Sequence, residues 1–226
     1  MVDICFATDY TAYDTYRYIQ QRNYTMQKRQ NQSVRQLVYV AVFTAIIAIM
    51  AQISIPMPGG VPMTLQTLAV PLAGIVLGRK GGTASTLLYV LLALCGVPVL
   101  AGFSGGPGVV FGMTGGFIVS FPLMAFLAGW GYMLFDKMKR KGNENNSVSR
   151  YAVLVLSLVI GSIVNYLVGM IWFSVVTGSS MKEAFLLCVA PFLVTGIIKI
   201  ILAAWIGPLL RSVLIRAHVL EAADAA

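Results

Sequence analysis

Few side chains in this sequence could take part in chemistry, and the most informative of them is a single lysine. Lys199 lies in the apolar stretch 191–204, with no other charged residue within ten positions on either side. An ionisable group at membrane depth is costly and marks a functional site by default. Thr195 precedes it by one helical turn on the same face. No acidic residue lies inside the apolar stretches, so the ammonium predicts an external anionic ligand such as a carboxylate. The alternative is that Lys199 pairs with a backbone carbonyl or snorkels to the interface.

Neutral polar residues in the apolar stretches are the next candidates for ligand contact. The segment from Thr64 through Leu65 to Gln66 leads into one apolar run, and Tyr89 lies in the middle of another. Thr64 could equally act as a helix N-cap. Asn165 is the only amide well inside its run, so it either joins two helices or contacts a ligand.

Catalysis has no support in these residue types. The apolar stretches contain no acid pair, no histidine cluster and no metal-ligand spacing, and the three cysteines are scattered. No nucleotide-binding motif is present. We therefore expect no catalytic residue, metal or cofactor, and a protein that is not an enzyme.

Composition places these residues in a membrane. Of 226 residues, 58% are hydrophobic and 11% charged, and the mean hydropathy is +0.81. Soluble domains carry about 25% charged residues, so an all-α integral membrane protein is predicted. The net charge of +8 is not attributed to nucleic-acid binding, because the basic residues fall in short loops between apolar runs.

Six apolar runs predict six transmembrane helices: 34–55, 68–78, 83–95, 115–135, 151–176 and 184–214. Positive charge is concentrated in alternate connections, which include Arg79-Lys80 and the loop 136–150. By the positive-inside rule both termini are cytoplasmic, in a multi-pass protein of the plasma membrane. Arg211, Arg216 and His218 are expected beyond the membrane.

The connection 96–116 is expected on the outer side and has an unusual composition. It contains eight glycines and two prolines and no charge. Irregular backbone of this kind is tolerated at membrane depth only where it is buried in protein or lines a cavity. Glycine also lets main-chain amides approach a ligand, so Gly102, Phe103 and Ser104 are candidate contacts.

The domain organisation is simple. Residues 1–33 form a polar extension that is expected to be poorly ordered, 34–215 form the membrane domain, and 216–226 form a cytoplasmic tail. Met26 precedes a basic lead-in to the first run, so one hypothesis takes it as the natural start. Ala41 and Ala45 lie on one face of the first run, where small residues allow another helix to approach closely, within this protein or from a partner.

Four motifs in this order resemble the biotin-specific substrate-binding (S) components of energy-coupling factor (ECF) transporters, the BioY family. They are VPMTLQTLAV at 61–70, GVPVLAG at 96–102, TGGF at 114–117, and PFL at 191–193 followed by Lys199. The resemblance covers about residues 34–215. It implies an S-component fold of six helices that captures biotin from outside, in the membrane of a bacterium.

The resemblance also implies partners and roles. These are a transmembrane coupling protein, on which Ala41 and Ala45 would dock, and two ATPase subunits. Thr64 and Gln66 match the family motif at the edge of the site, and Lys199 matches its lysine. Whether the isolated protein forms a homo-oligomer stays open.

One position departs from the family pattern. The family has an aspartate three residues before the lysine, and Gly196 stands there in this sequence. Two alternatives follow. The first is an S component for a biotin precursor or another carboxylated vitamin. The second is a membrane interaction protein without transport activity, in which Lys199 is structural.

Overall fold

A computed structural model of the full chain describes residues 3–57, 59–140, 147–217 and 219–220. The chain divides into two compact units between Tyr39 and Val40. His218 and most of the predicted tail lie outside the described residues.

Helix α1 (Asp3–Gln52) begins far before the first predicted span. The poor order predicted for residues 1–33 stays a prediction. A helical backbone is possible there because no proline or glycine occurs before Pro56. Nothing therefore interrupts a helix that propagates from the apolar run, since extending a helix costs far less than nucleating one. The hypothesis of a start at Met26 stays a prediction.

The second unit contains the remaining elements. After α1, the strands β1 (Ser54–Ile55) and β2 (Met63–Thr64) pair antiparallel, with Ser54 opposite Thr64. The helices that follow are α2 (Gln66–Leu94), α3 (Pro107–Val110), α4 (Gly115–Arg140), α5 (Ser147–Thr177), α6 (Met181–Cys188) and α7 (Ala190–Arg216). The described residues thus form seven α-helices and one short two-stranded ribbon, which confirms the all-α prediction.

Helix α2 joins the second and third predicted runs and is broken at one residue. Gly78 has φ 79° and ψ 173°, a conformation that glycine adopts without steric cost. The predicted basic turn at Arg79-Lys80 thus corresponds to a break one residue earlier, and Arg79 and Lys80 themselves are helical. The halves pack tightly behind the break, where a β-carbon added at Gly82 would lie 2.5 Å from the Cα of Gly74.

Arg211 of α7 binds this break. Its guanidinium donates to the carbonyls of Ile75 (3.1 Å) and Val76, which lie just before Gly78, and stands over the Tyr132 ring. The expectation that Arg211 lies beyond the membrane stays a prediction, but the side chain is not solvated, because it is only 2% exposed. The break leaves carbonyls without helical partners, and a buried guanidinium satisfies them.

The helices bury one face and expose another apolar face. Tyr89 of α2 packs with Phe121 of α4, and further along Ile75 packs with Leu154 of α5 and Ala203 of α7. Large apolar residues such as Leu156, Ile201 and Trp205 remain exposed. Four helical segments among the described residues are long and apolar enough to cross a membrane: Ser33–Gln52, Gly115–Lys139, Ser147–Thr177 and Ala190–Arg216.

The sixth predicted run divides into α6 and α7 at Val189. Ser180 and Glu183 form a capping box that starts α6, and hydrogen bonds from Ser180 hold the pKa of Glu183 below its ordinary value. Pro191 lies in the first turn of α7, where its missing N–H costs nothing.

The Arg211 contact generates a stability prediction. Arg211→Leu should lower the free energy of unfolding by about 2–4 kcal/mol, because two buried carbonyls lose their donor. The melting temperature of the purified protein in detergent would measure this. The control is Arg216→Leu, which removes an exposed arginine from the same helix. Equal melting temperatures for both variants would contradict a structural role for Arg211.

Candidate functional site

The second unit contains a cavity of about 430 Å³. Its walls come from the segment after β1, the start of α2, the connection 100–114, and helices α4, α5 and α7. Apolar and aromatic groups form most of the surface, and Thr64, Gln66, Ser104 and Asn165 are the predicted site residues that line it. The aromatic side chains in the lining are Phe117, Phe121, Tyr166 and Phe192. Apolar walls with a few fixed polar groups are typical of small-molecule sites.

A chain of hydrogen bonds fixes the polar edge of the cavity. The Thr64 hydroxyl donates to Gln66 Oε1 (3.0 Å), and Gln66 Nε2 donates to the hydroxyl of Tyr89. Tyr89 in turn donates to the carbonyl of Val99 (3.1 Å). Thr64 also accepts from the Gln66 backbone N–H at 3.3 Å, although Leu65 is the N-cap residue of α2. Thr64 thus stabilises the helix start and lines the cavity at once.

Two residues that the sequence did not single out hold the connection over the cavity. Gln52 at the end of α1 donates to the carbonyl of Leu100 (3.0 Å) and accepts from the N–H of Phe103 (2.9 Å). Trp172 of α5 donates to the carbonyl of Gly112 (2.9 Å). The uncharged connection is therefore an ordered wall whose main-chain groups are bound by side chains. No spacing in the sequence links Gln52 to main-chain atoms this far along.

Lys199 lies behind the cavity floor. Its Nζ donates to the carbonyl of Thr64 (2.7 Å) and to the hydroxyl of Thr67 (2.9 Å), and the residue is 9% exposed. It borders a small void of about 10 Å³ next to the main cavity. The sequence left pairing with a backbone carbonyl as an alternative to ligand binding for Lys199, and the bond to Thr64 is of this kind. Both partners are neutral, so the positive charge itself is not balanced by them.

The remaining predicted site residues take different positions. Asn165 Nδ2 donates to the carbonyl of Phe117 (2.9 Å) and to Ser120 Oγ (2.7 Å), so Asn165 joins α5 to α4 and also lines the cavity. Seven predicted residues are not part of the main lining: Leu65, Tyr89, Gly102, Phe103, Thr195, Gly196 and Lys199. Phe103 is 73% exposed, whereas Tyr89 is fully buried. Direct ligand contact by these seven stays a prediction.

The groups that line the cavity can bind a ligand through hydrogen bonds and apolar contacts. The lining offers hydroxyl and amide groups, with an ammonium one layer deeper. Among the described residues no group of three or more histidine, cysteine or acidic side chains could hold a metal ion.

The Gln52 contacts generate a second prediction. Gln52→Met keeps the side-chain length but removes the hydrogen bonds to Leu100 and Phe103, so the amide of Phe103 should exchange faster. Hydrogen exchange followed by mass spectrometry on a peptide that covers 99–104 would show a rise of about tenfold. A peptide that covers 108–114, held by Trp172, serves as the internal control. Unchanged exchange at 99–104 would contradict the assigned role of Gln52.

The chain is similar to several known membrane proteins. The family described as the BioY family matches residues 24–216. A probable biotin transporter BioY of Pyrococcus horikoshii is 41% identical over 160 residues, which cover 71% of this chain and 86% of that protein. Biotin transporter BioY2 of Lactococcus lactis is 35% identical, with 79% and 91% covered. A crystal structure of the S-component for biotin from an ECF-type ABC transporter superposes with a TM-score of 0.67 at 32% identity, covering 80% of this chain and 93% of that one.

Proposed function

Because this chain belongs to the BioY family, we propose that it is a membrane transport protein that captures biotin in the 430 Å³ cavity. Two relatives that this chain matches over 86% and 91% of their length are named a probable biotin transporter and a biotin transporter, and a solved S-component for biotin has a similar fold. The observation that carries the proposal is the cavity itself, an aromatic enclosure with a polar edge of Thr64 and Gln66 and a buried ammonium behind its floor. Biotin offers matching groups, which are an apolar ring and chain, a ureido group and a carboxylate.

The proposed topology has six spans and both termini in the cytoplasm. It takes the halves of α2 as two short spans, 66–77 and 79–94, and α6 with α7 as the sixth. The charge pattern of the connections supports this orientation, which places the uncharged segments 56–63 and 96–114 on the outer side. Biotin would then enter the cavity from outside.

The proposed transport cycle depends on partners. A transmembrane coupling protein and two ATPase subunits would supply the energy, and this chain would hydrolyse nothing itself. Ala41 and Ala45 support the docking part of the proposal, because both are exposed on α1 while Thr44 and Ile47 face inward. Small exposed residues four apart allow a partner helix to approach closely.

Equilibrium binding tests the capture step. The purified protein in detergent should bind biotin with a Kd below about 1 µM. Lys199→Met should weaken binding about 10- to 100-fold, since a hydrogen bond to a charged group contributes about 1.5–3 kcal/mol.

The matched control is Lys80→Met, which removes an exposed lysine and should leave the Kd unchanged. Absence of biotin binding below micromolar, together with tight binding of another carboxylated vitamin or a biotin precursor, would replace biotin as the ligand. Normal binding by Lys199→Met would exclude the lysine from the site.

A further inference from the structure

Three side chains separate the cavity from Lys199. Thr67, Asn165 and Tyr166 line both the main cavity and the small void behind it, whereas Lys199 borders only the void. The void, at about 10 Å³, has room for about one water-sized group and is separate from the main cavity. A ligand in the cavity can therefore reach the ammonium only if one of the three moves.

Thr67, Asn165 and Tyr166 are held in place by hydrogen bonds of different number and length. Thr67 accepts a hydrogen bond from Lys199 at 2.9 Å, and Asn165 donates two, at 2.9 Å and 2.7 Å. Tyr166 makes a single bond, from its hydroxyl to the carbonyl of Phe192, at 3.3 Å. That length is at the weak end for an O–H donor. Tyr166 is the least firmly held of the three.

Movement of Tyr166 leaves no buried carbonyl without a donor. The carbonyl of Phe192 also accepts a hydrogen bond from the Thr195 hydroxyl, at 3.2 Å. If Tyr166 swings away, Thr195 keeps that carbonyl satisfied, so the main cost of an orphaned acceptor does not arise. The phenol is itself half-buried, between the void and the cavity.

Gly196 provides the space in which the Tyr166 hydroxyl lies. A β-carbon added at Gly196 would stand 2.5 Å from the Tyr166 oxygen, 3.6 Å from its Cζ, and 3.9 Å from its Cε2. The overlap is thus almost entirely with the hydroxyl oxygen. Any larger residue at 196 would displace the Tyr166 hydroxyl from this space.

We propose that the Tyr166 side chain is a movable partition between the cavity and Lys199, which controls access of a ligand oxygen to the ammonium. Gly196 leaves the space in which the Tyr166 hydroxyl lies when the partition is closed. The ligand class is a small molecule that carries a carboxylate or another strongly polar oxygen, so the proposal rests on the proposed function. Tyr166 is then a specificity determinant, because a ligand must displace it to reach the ammonium.

Coupling between the two residues is the first test. Gly196→Ala should weaken biotin binding by about tenfold, because its β-carbon displaces the Tyr166 hydroxyl and so disturbs the part of the cavity wall that Tyr166 forms. Adding Tyr166→Phe removes the overlapping oxygen, so the double variant should return to within about threefold of the parent protein. A double variant as weak as Gly196→Ala alone would overturn the pairing.

The second test does not depend on biotin. In a full-length protein with Lys199→Cys and the three native cysteines replaced by alanine, a small methanethiosulfonate reagent reports access to position 199. Tyr166→Ala should raise the labelling rate about tenfold or more, whereas Tyr151→Ala, which removes a tyrosine from the same helix outside both voids, should not.

Equal labelling rates with and without Tyr166 would overturn the partition, whatever binds in the cavity. Failure of the parent protein to bind biotin, together with faster labelling in Tyr166→Ala, would instead remove biotin as the ligand and leave the partition intact. The two proposals therefore fail separately.

Discussion

The hydrogen bonds from Lys199 to Thr64 and Thr67 determine how the rest of the site is arranged. An ammonium buried in an apolar protein must find oxygen atoms, and Thr64 of β2 and Thr67 of α2 supply them. Thr64 is also bonded to Gln66, and through Gln66 and Tyr89 the same network reaches the main chain of the connection 96–116 at Val99. A single charge thus fixes one edge of the cavity.

Arg211 is a second buried cation on α7, the helix that also carries Lys199. It lies twelve residues after Lys199, which is about 18 Å along an α-helix, and it binds the carbonyls exposed by the break at Gly78. Helix α7 therefore carries two buried cations that bind oxygen atoms of the preceding elements. Lys199 binds the Thr64 carbonyl in β2 and the Thr67 hydroxyl in the first turn of α2, whereas Arg211 binds carbonyls that the break at Gly78 leaves without helical partners.

The sequence was most informative where composition alone constrains structure. The isolation of Lys199 predicted a buried cation, and the uncharged glycine-rich connection predicted irregular backbone beside a cavity; the segment 100–114 does line one. Gln52 and Trp172 could not be predicted, because their partners are main-chain atoms that any residue possesses. The burial of Arg211 could not be predicted either. A basic residue near the end of an apolar run usually marks topology, and it is the break at Gly78 that gives Arg211 its partners.

The geometry around Lys199 also bears on which ligands gain most from it. The ammonium has three N–H donors and uses two of them on neutral oxygens, so a neutral ligand oxygen would add one further hydrogen bond, with a modest net gain. An anionic oxygen adds Coulomb attraction in apolar surroundings that Thr64 and Thr67 cannot supply. No acid lies in the apolar runs to compete for the cation. In the proposed site a charged ligand oxygen would therefore gain more than a neutral one, and the absence of a carboxylate at Gly196, one turn from the lysine, would strengthen that preference.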